Sequence, residues 1–303
     1  MRSEDSGENG LNVLILGLLR PKNIEYLVRE LLAQNPLTNI FVSLDILRDS
    51  DSRYSLNREC LKVVSKLYAS GLIRSYQVSV APLGCYRGVV NGIDWFFKEA
   101  EYGLILEEDL IVHSRIVEIG LEMKHLFKSD LNLGSISFFA PEVNCEDEDT
   151  TRFFPCAFPS SWGWMTTHER WDKFIHDANK IKLARISKGG INGYRRWKEV
   201  QERIENGSLD SWAYRWMFTH WVNGWHTLTP FPKGFIQNMG FDELATHTKR
   251  RDSEKPKGLF AAKWELESKN IKITKMSRKI EKLILMQRFG VGSVFNSLKR
   301  KLL

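Results

Sequence analysis

The chain has 303 residues, 43% of them hydrophobic and 27% charged, enough to bury a core as one large domain or two smaller ones and unlike a disordered or fibrous protein. Its formal charge of +7 is uneven: from Lys269 onward ten Lys and Arg face one acid, a net of +9, which leaves −2 for the rest. A near-neutral body excludes charge-driven nucleic-acid binding by that body, and no nucleic-acid partner is expected.

The first ten residues, MRSEDSGENG, are polar and acidic, and the apolar run LNVLILGLL (11–19) that follows is of strand length. At nine residues, with RPKN behind it, the run lacks the basic lead and small-residue cleavage site of a signal peptide. No stretch approaches the roughly 20 apolar residues of a membrane span. A cytoplasmic protein is expected. Ile24, Leu27, Val28, Leu31 and Leu32 recur at helical spacing and predict a helix over 23–34. NIFVSLDI (39–46) reads as a strand, 57–70 as a helix, SYQVSVAP (75–82) as a strand and 86–100 as a helix. YGLILEEDLIV (102–112) is the next strand, followed by a helix over 114–128 and a short strand, SISFFAP. Strand and helix alternate, and the strands are apolar on both faces. This predicts an α/β fold, a mostly parallel sheet with helices on both sides. Residues 143–250 change texture: an acidic loop, an aromatic loop (FPSSWGW), helices, then a Pro/Gly-rich stretch.

The tail holds two amphipathic segments. Ile273, Met276, Ile280, Leu283 and Ile284 line one face of the first, flanked by Lys275, Arg278, Lys279 and Lys282. Val291, Val294, Phe295, Leu298 and Leu302 line the second, beside Lys299, Arg300 and Lys301. Basic amphipathic helices lie in a lipid interface, so 269–303 is expected to hold the protein on an anionic membrane surface, peripheral on the inner face of the cell membrane. The alternative is that these faces pack onto the body and leave the lysines solvated. The cysteines, Cys60, Cys85, Cys145 and Cys156, form no CxxC pair, which disfavours structural zinc and suits a reducing compartment. A Cys145–Cys156 bridge stays open.

Within 103–112, GLILEEDLIV, three carboxylates close an apolar run: Glu107, Glu108 and Asp109. Such a cluster asks for a cation, a set of hydrogen-bond donors, or exposure as a plain turn. There is no GxGxxG after the first strand and no GxxxxGK[ST], so a dinucleotide fingerprint and a P-loop are both disfavoured. A divalent metal held by one or two carboxylates, and completed by phosphate oxygens and water, is another way to hold a nucleotide beyond the carboxyl ends of parallel strands. Asp45 and the triplet both lie at such ends.

The chain resembles GT-A glycosyltransferases with an Asp-x-Asp-like motif, above all the group related to the β-1,2-N-acetylglucosaminyltransferase of N-glycan synthesis and bacterial sugar-nucleotide transferases of similar pattern. The resemblance rests on LGLLRP (16–21), VSLDILR (42–48), GCYRGVVNGIDWFF (84–97), LILEEDLIV (104–112), SSWGWMTTHERWDKF (160–174), LDSWAYRWMF (209–218) and NMGFDELATHT (238–248), in that order. It implies a GT-A-like sheet in which 1–142 binds the nucleotide sugar and 143–250 forms the acceptor-binding and catalytic half of the same domain, ahead of the basic tail at 251–303. It implies an inverting transfer, in surface-polysaccharide or lipid-linked glycan synthesis, from a nucleotide-diphosphate sugar (a UDP-sugar above others) to a hydroxyl on a glycan or lipid-linked acceptor, with Mn²⁺ or Mg²⁺. Asp109 would hold the metal, Glu107 and Glu108 would lie beside donor sugar and ribose, Asp45 would face the base, and Arg20 would lie near the donor. The middle acid of the motif, often Asp in this group, is Glu108 here.

Asp210 resembles the catalytic base, although it also precedes the helical stretch SWAYRWMFTHW as a natural N-cap. His247 is a candidate further metal or phosphate ligand or a structural histidine. Trp162 and Trp164 are an acceptor wall or core. Arg87 touches phosphate or is merely solvated. A nucleotidyltransferase of similar sheet is the nearest competing enzyme, but its Gly-rich, Lys-containing loop after the first strand is missing. A non-catalytic basic protein binding membrane or nucleic acid through the tail would leave Glu107–Asp109, Asp210 and the SWGW loop unexplained.

Overall fold

The computed structural model describes residues 9–143, 150–183, 190–240, 243–244, 260–265 and 273–289. Strands β1 (Asn12–Gly17), β2 (Asn39–Leu44), β3 (Ser75–Val78) and β4 (Tyr102–Glu107) lie parallel in the order β4-β1-β2-β3. Helices α1 (Pro21–Gln34), α2 (Tyr54–Ala69) and α3 (Gly84–Glu99) connect them. The unbroken apolar run of β1 has a direct cause. Val13 and Ile15 pack with Leu27 of α1 and Val64 of α2, while Leu14 and Leu16 pack with Ile93 and Phe96 of α3. A strand covered on both faces needs apolar residues at every position.

Five further strands widen this sheet to nine: β6 (Leu133–Ser137), β7 (Thr150–Cys156), β8 (Trp164–Thr167), β9 (His226–Phe231) and β11 (Lys263–Glu265). The order is β11-β7-β9-β6-β8-β4-β1-β2-β3. β8 runs antiparallel between β4 and β6, and β7 antiparallel to β9; the other five pairings are parallel. The α/β class and the mostly parallel sheet are therefore as the alternation predicts, and one sheet runs through both halves of the chain.

Two predicted elements are divided. The run 102–112 is not a single strand. The chain turns at Glu108–Asp109, and β5 (Leu110–Val112) leaves the main sheet to pair antiparallel with β10 (Ile236–Asn238). Leu110 and Val112 stay buried in the core on the α1 side, which is why the apolar pattern runs through the turn unbroken. The 114–128 stretch forms α4 (Ile116–Met123) and α5 (Leu126–Ser129) with a turn at Lys124–His125.

Helices α6 (His168–Trp171), α7 (Gly190–Glu205) and α8 (Trp212–Val222) follow. Trp164, Trp171, Trp212 and Trp216 form one buried aromatic cluster under α3. The tail helix α9 (Lys275–Phe289) starts with a reciprocal cap: Thr274 Oγ1 accepts from the Ser277 amide at 3.1 Å, and Ser277 Oγ accepts from the Thr274 amide at 3.1 Å. Its Ile280 and Ile284 are buried with Trp197, Phe218, Trp221 and Phe231, and Met276, Leu283 and Phe289 pack against that cluster. This corrects the expectation that the first tail segment offers its apolar face to lipid. The stripe is spent on the protein's own core, Ile273 falls outside it at 64% exposure, and Lys275, Arg278, Lys279 and Lys282 face solvent. The second tail segment lies outside the described residues. No described helix is long and apolar enough to cross a membrane. Cys60, Cys85 and Cys156 are free thiols.

Candidate functional site

Alternation along β4 separates the first two carboxylates. Leu104 and Leu106 point to the α1 side and Ile105 to the α3 side. Glu107 therefore follows Ile105, and Glu108 follows Leu106.

Glu108 turns under the β1–α1 loop. Its carboxylate accepts from the amides of Leu18 (2.8 Å), Leu19 (2.7 Å) and Arg20 (3.1 Å). Arg20 is the N-cap residue of α1 and makes no side-chain cap, and Pro21 opens the helix. Glu108 thus supplies from a distant strand the negative charge that an N-terminus favours. Burial pushes its carboxyl up, against the pull of those three amides and of Arg20. With 6% exposure and both oxygens engaged, it positions the loop rather than meeting a ligand. Arg20 lies alongside, with Nη1 3.9 Å from Glu108 Oε1.

Glu107 faces the other way, toward the start of α3. Burial raises its carboxyl to about 8, with the charges of Asp109 and Glu108 adding to the effect and Arg288 opposing it. Cys85, in the first turn of α3, is raised to about 12 by burial, then by Glu107, then by Asp210. Asp210 touches the neighbours of that thiol on both sides, Gly84 and Tyr86, while the charge of Glu107 acts on it from the end of β4.

Two carboxylates hold the N-terminus of α3. Asp45, just past β2, accepts from the amides of Leu83 (3.1 Å to Oδ1) and Gly84 (3.0 Å to Oδ2) and from Ser79 Oγ (2.6 Å). Asp210 is exposed, and its Oδ1 accepts from the Tyr86 amide at 3.2 Å. The expected capping of α8 by Asp210 does not occur. Ser211 is that N-cap residue, without a side-chain bond, and Asp210 caps α3 instead. Gly84 permits this: its φ is +77°, and a Cβ there would sit 3.1 Å from Asp210 Oδ2.

Asp109 occupies the turn between β4 and β5. Its carbonyl accepts from the Met239 amide at 2.9 Å, and Gly240 lies directly over its carboxylate, where a Cβ would fall 1.8 Å from Oδ2. The NMG stretch (238–240) is thus the wall behind Asp109. His247 lies outside the described residues. Among the described residues no group of three or more His, Cys, Asp or Glu is arranged to hold a metal ion. Glu107 and Asp109 stand two positions apart where β4 ends, and carboxylates are the oxygen donors a hard divalent cation takes when phosphate and water complete its shell.

The remaining sequence candidates divide. Trp164 is 1% exposed, with its ring 5.6 Å from Trp212 and 5.2 Å from Trp216, and belongs to the core rather than to an acceptor wall. Trp162 is half-buried, edge-on to Phe139 at 4.8 Å. Arg87 is exposed on the first turn of α3. Sequence reasoning missed Cys85 and Arg288. Arg288 lies four and eight positions beyond Ile284 and Ile280, on the buried side of α9 and away from the flanking lysines. That spacing was the available signal.

No protein-family model matches the chain, and no curated protein matches it. Among solved structures, a Bacillus anthracis protein described as a glucose-1-phosphate thymidylyltransferase, in complex with a sucrose, is similar over 58% of this chain and 77% of its own, at 10% identity and a TM-score of 0.31. No assignment of function rests on a likeness of that degree.

Proposed function

We propose that the chain is a metal-dependent glycosyltransferase that moves a sugar from a nucleotide-diphosphate sugar to a hydroxyl acceptor with inversion. The observation that carries this reading is the gathering of carboxylates at the carboxyl ends of β2 and β4, the usual place for a ligand in such sheets: Asp45 just past β2 and Asp210 both lie against Gly84 at the start of α3, and Glu107 and Asp109 close β4. Asp109 and Glu107 would hold Mn²⁺ or Mg²⁺, which when bound neutralises the diphosphate leaving group.

The chain's own residues do the rest. The exposed Asp210 carboxylate takes the proton of the acceptor hydroxyl as its oxygen bonds to the anomeric carbon and the bond to the diphosphate breaks. The Tyr86 amide on Oδ1 fixes the orientation of Asp210 and leaves Oδ2 for the acceptor. Asp45 and Glu108 hold the helix N-terminus and loop that shape the cleft, so their contribution is positional. Arg87, exposed on the first turn of α3, would meet phosphate, and Trp162 would be the acceptor-side ring. A UDP-sugar is the first donor to try, with a glycan or lipid-linked hydroxyl as acceptor.

Calorimetry and a hydrolysis screen with UDP-, GDP- and dTDP-sugars, with and without Mn²⁺, test the reading. Metal-dependent binding of one nucleotide class, with slow release of its sugar, is the expected result. Absence of metal-dependent nucleotide affinity across all three would overturn it.

A further inference from the structure

The basic tail contributes one residue to the acidic cleft. Helix α9 is fixed to the body by polar contacts as well as its apolar stripe. Glu281 Oε1 accepts from the Ala157 amide at 2.7 Å, Gln287 Oε1 accepts from the Glu142 amide at 3.1 Å, and Arg288 Nη2 donates to Ser161 Oγ at 3.0 Å. The last contact brings the guanidinium over the Trp162 ring, 5.1 Å from its centroid, and 5.9 Å from that of Phe289. β8 runs antiparallel to β4 with Trp164 opposite Ile105, so Ser161 and Trp162, just before β8, lie at the carboxyl end of β4, the end that Glu107 closes, and they hold Arg288 there; its charge opposes the raised carboxyl of Glu107. Burial lowers its own pKa, with Tyr214 and Glu107 acting against that.

The placement is costly without a ligand. A guanidinium has five N–H donors, and among the described residues one of them, on Nη2, is hydrogen-bonded, to Ser161. Half-burying a cation between rings with few acceptors is unfavourable, and an apolar side chain would pack on Trp162 at lower cost. The two rings and Ser161 hold the guanidinium in place, and its planar fork suits two phosphate oxygens at once. The nearby carboxylates are the proposed cation site, so a phosphate group between that cation and Arg288 would be neutralised from both sides.

We infer that Arg288, delivered by the tail helix, is a ligand-binding residue that contacts the diphosphate of the nucleotide. This rests on the proposed function. It also gives the docked tail a catalytic-site purpose: α9 completes the cleft.

The test uses the full-length protein in Mn²⁺, as wild type, Arg288→Gln and Arg288→Lys. Calorimetry measures UDP, GDP and dTDP; ligand-observed NMR measures uridine, guanosine and thymidine, which carry no phosphate. Arg288→Gln should weaken the bound diphosphate roughly tenfold or more and leave the matching nucleoside unchanged, and Arg288→Lys should recover part of the loss. If the Gln variant does not fold, the Lys variant reads the same contrast, since it keeps stem and charge but loses the fork. Equal weakening of diphosphate and nucleoside would mark Arg288 as structural and overturn the inference, as would unchanged diphosphate affinity. A wild-type chain that binds none of the nucleotides overturns the functional reading and this inference together.

Discussion

Asp210 Oδ1 accepts the backbone amide of Tyr86 at 3.2 Å, across 124 positions of sequence. The contact ties the entry of α8 to the first turn of α3 and places an exposed carboxylate beside Gly84 and Tyr86, the two neighbours of Cys85. Asp210→Asn keeps an oxygen for the Tyr86 amide, so the fold should hold. Donor affinity should be retained while turnover falls by roughly 10²-fold or more, the signature of a lost general base. Steady-state kinetics beside a thermal melt checks this; an activity loss matched by a loss of melting temperature would make Asp210 structural.

Glu108 should behave in the opposite way. Three amides converge on its two oxygens in a buried setting. In Glu108→Gln one acceptor becomes an NH₂ facing backbone donors. A loss of about 2–3 kcal/mol is expected in urea denaturation. Unchanged stability with abolished donor binding would return Glu108 to the role the resemblance implied.

Much of the sheet was legible because β1 is covered on both faces, and Val13 and Leu14 had to be apolar for different neighbours. The ends of the strands were legible as places where carboxylates gather. The partners of those carboxylates were not. Asp45 meets the amides of Leu83 and Gly84, and Glu108 meets Leu18–Arg20, through tertiary contacts that leave no local spacing. The turn at Glu108–Asp109 was hidden because Leu110 and Val112 find a core beyond it. Trp164 could not be told from a surface ring, since an aromatic residue suits both a core and a sugar site.

Asp109→Asn should abolish metal-dependent donor binding and leave the fold intact, because removing one charge from a like-charged cluster relieves repulsion in the metal-free protein. Gly240→Ala offers an independent check, since its methyl would collide with Asp109 Oδ2 and displace the carboxylate. Both variants should lose Mn²⁺ affinity in calorimetry. Near-normal Mn²⁺-dependent turnover in Asp109→Asn would refute the metal assignment.

His220 gives the fold an acid sensitivity unrelated to the cleft. It is fully buried, Nδ1 donates to the Trp216 carbonyl at 3.0 Å, and Nε2 lies 2.9 Å from Ser135 Oγ. Burial lowers its pKa from 6.5 to about 3, helped by His226 and opposed by the Trp216 carbonyl. A histidine depressed in the folded state favours folding fully above its unfolded pKa, and that contribution is lost as pH falls. Between about pH 6.5 and 3 it should cost about 1.4 kcal/mol per pH unit. Denaturation midpoints measured across this window should show a shallower slope in His220→Gln. An identical slope would mean that His220 does not govern the effect.

The tail helix makes two separable predictions from its two faces. Ile280 and Ile284 are 0% and 5% exposed, so Ile280→Ala should lose about 2–5 kcal/mol of stability. Lys275, Arg278, Lys279 and Lys282 are exposed, and changing all four to Gln should alter stability by less than about 1 kcal/mol. With the apolar stripe turned inward, anionic vesicles could hold this segment through charge alone. Vesicle co-sedimentation should therefore weaken steeply with salt and in the fourfold Gln variant. Urea denaturation and co-sedimentation on the same preparations decide the matter. Salt-resistant vesicle binding that Ile280→Ala removes without loss of stability would mean that the stripe faces lipid, and the docking of α9 on the body would be wrong.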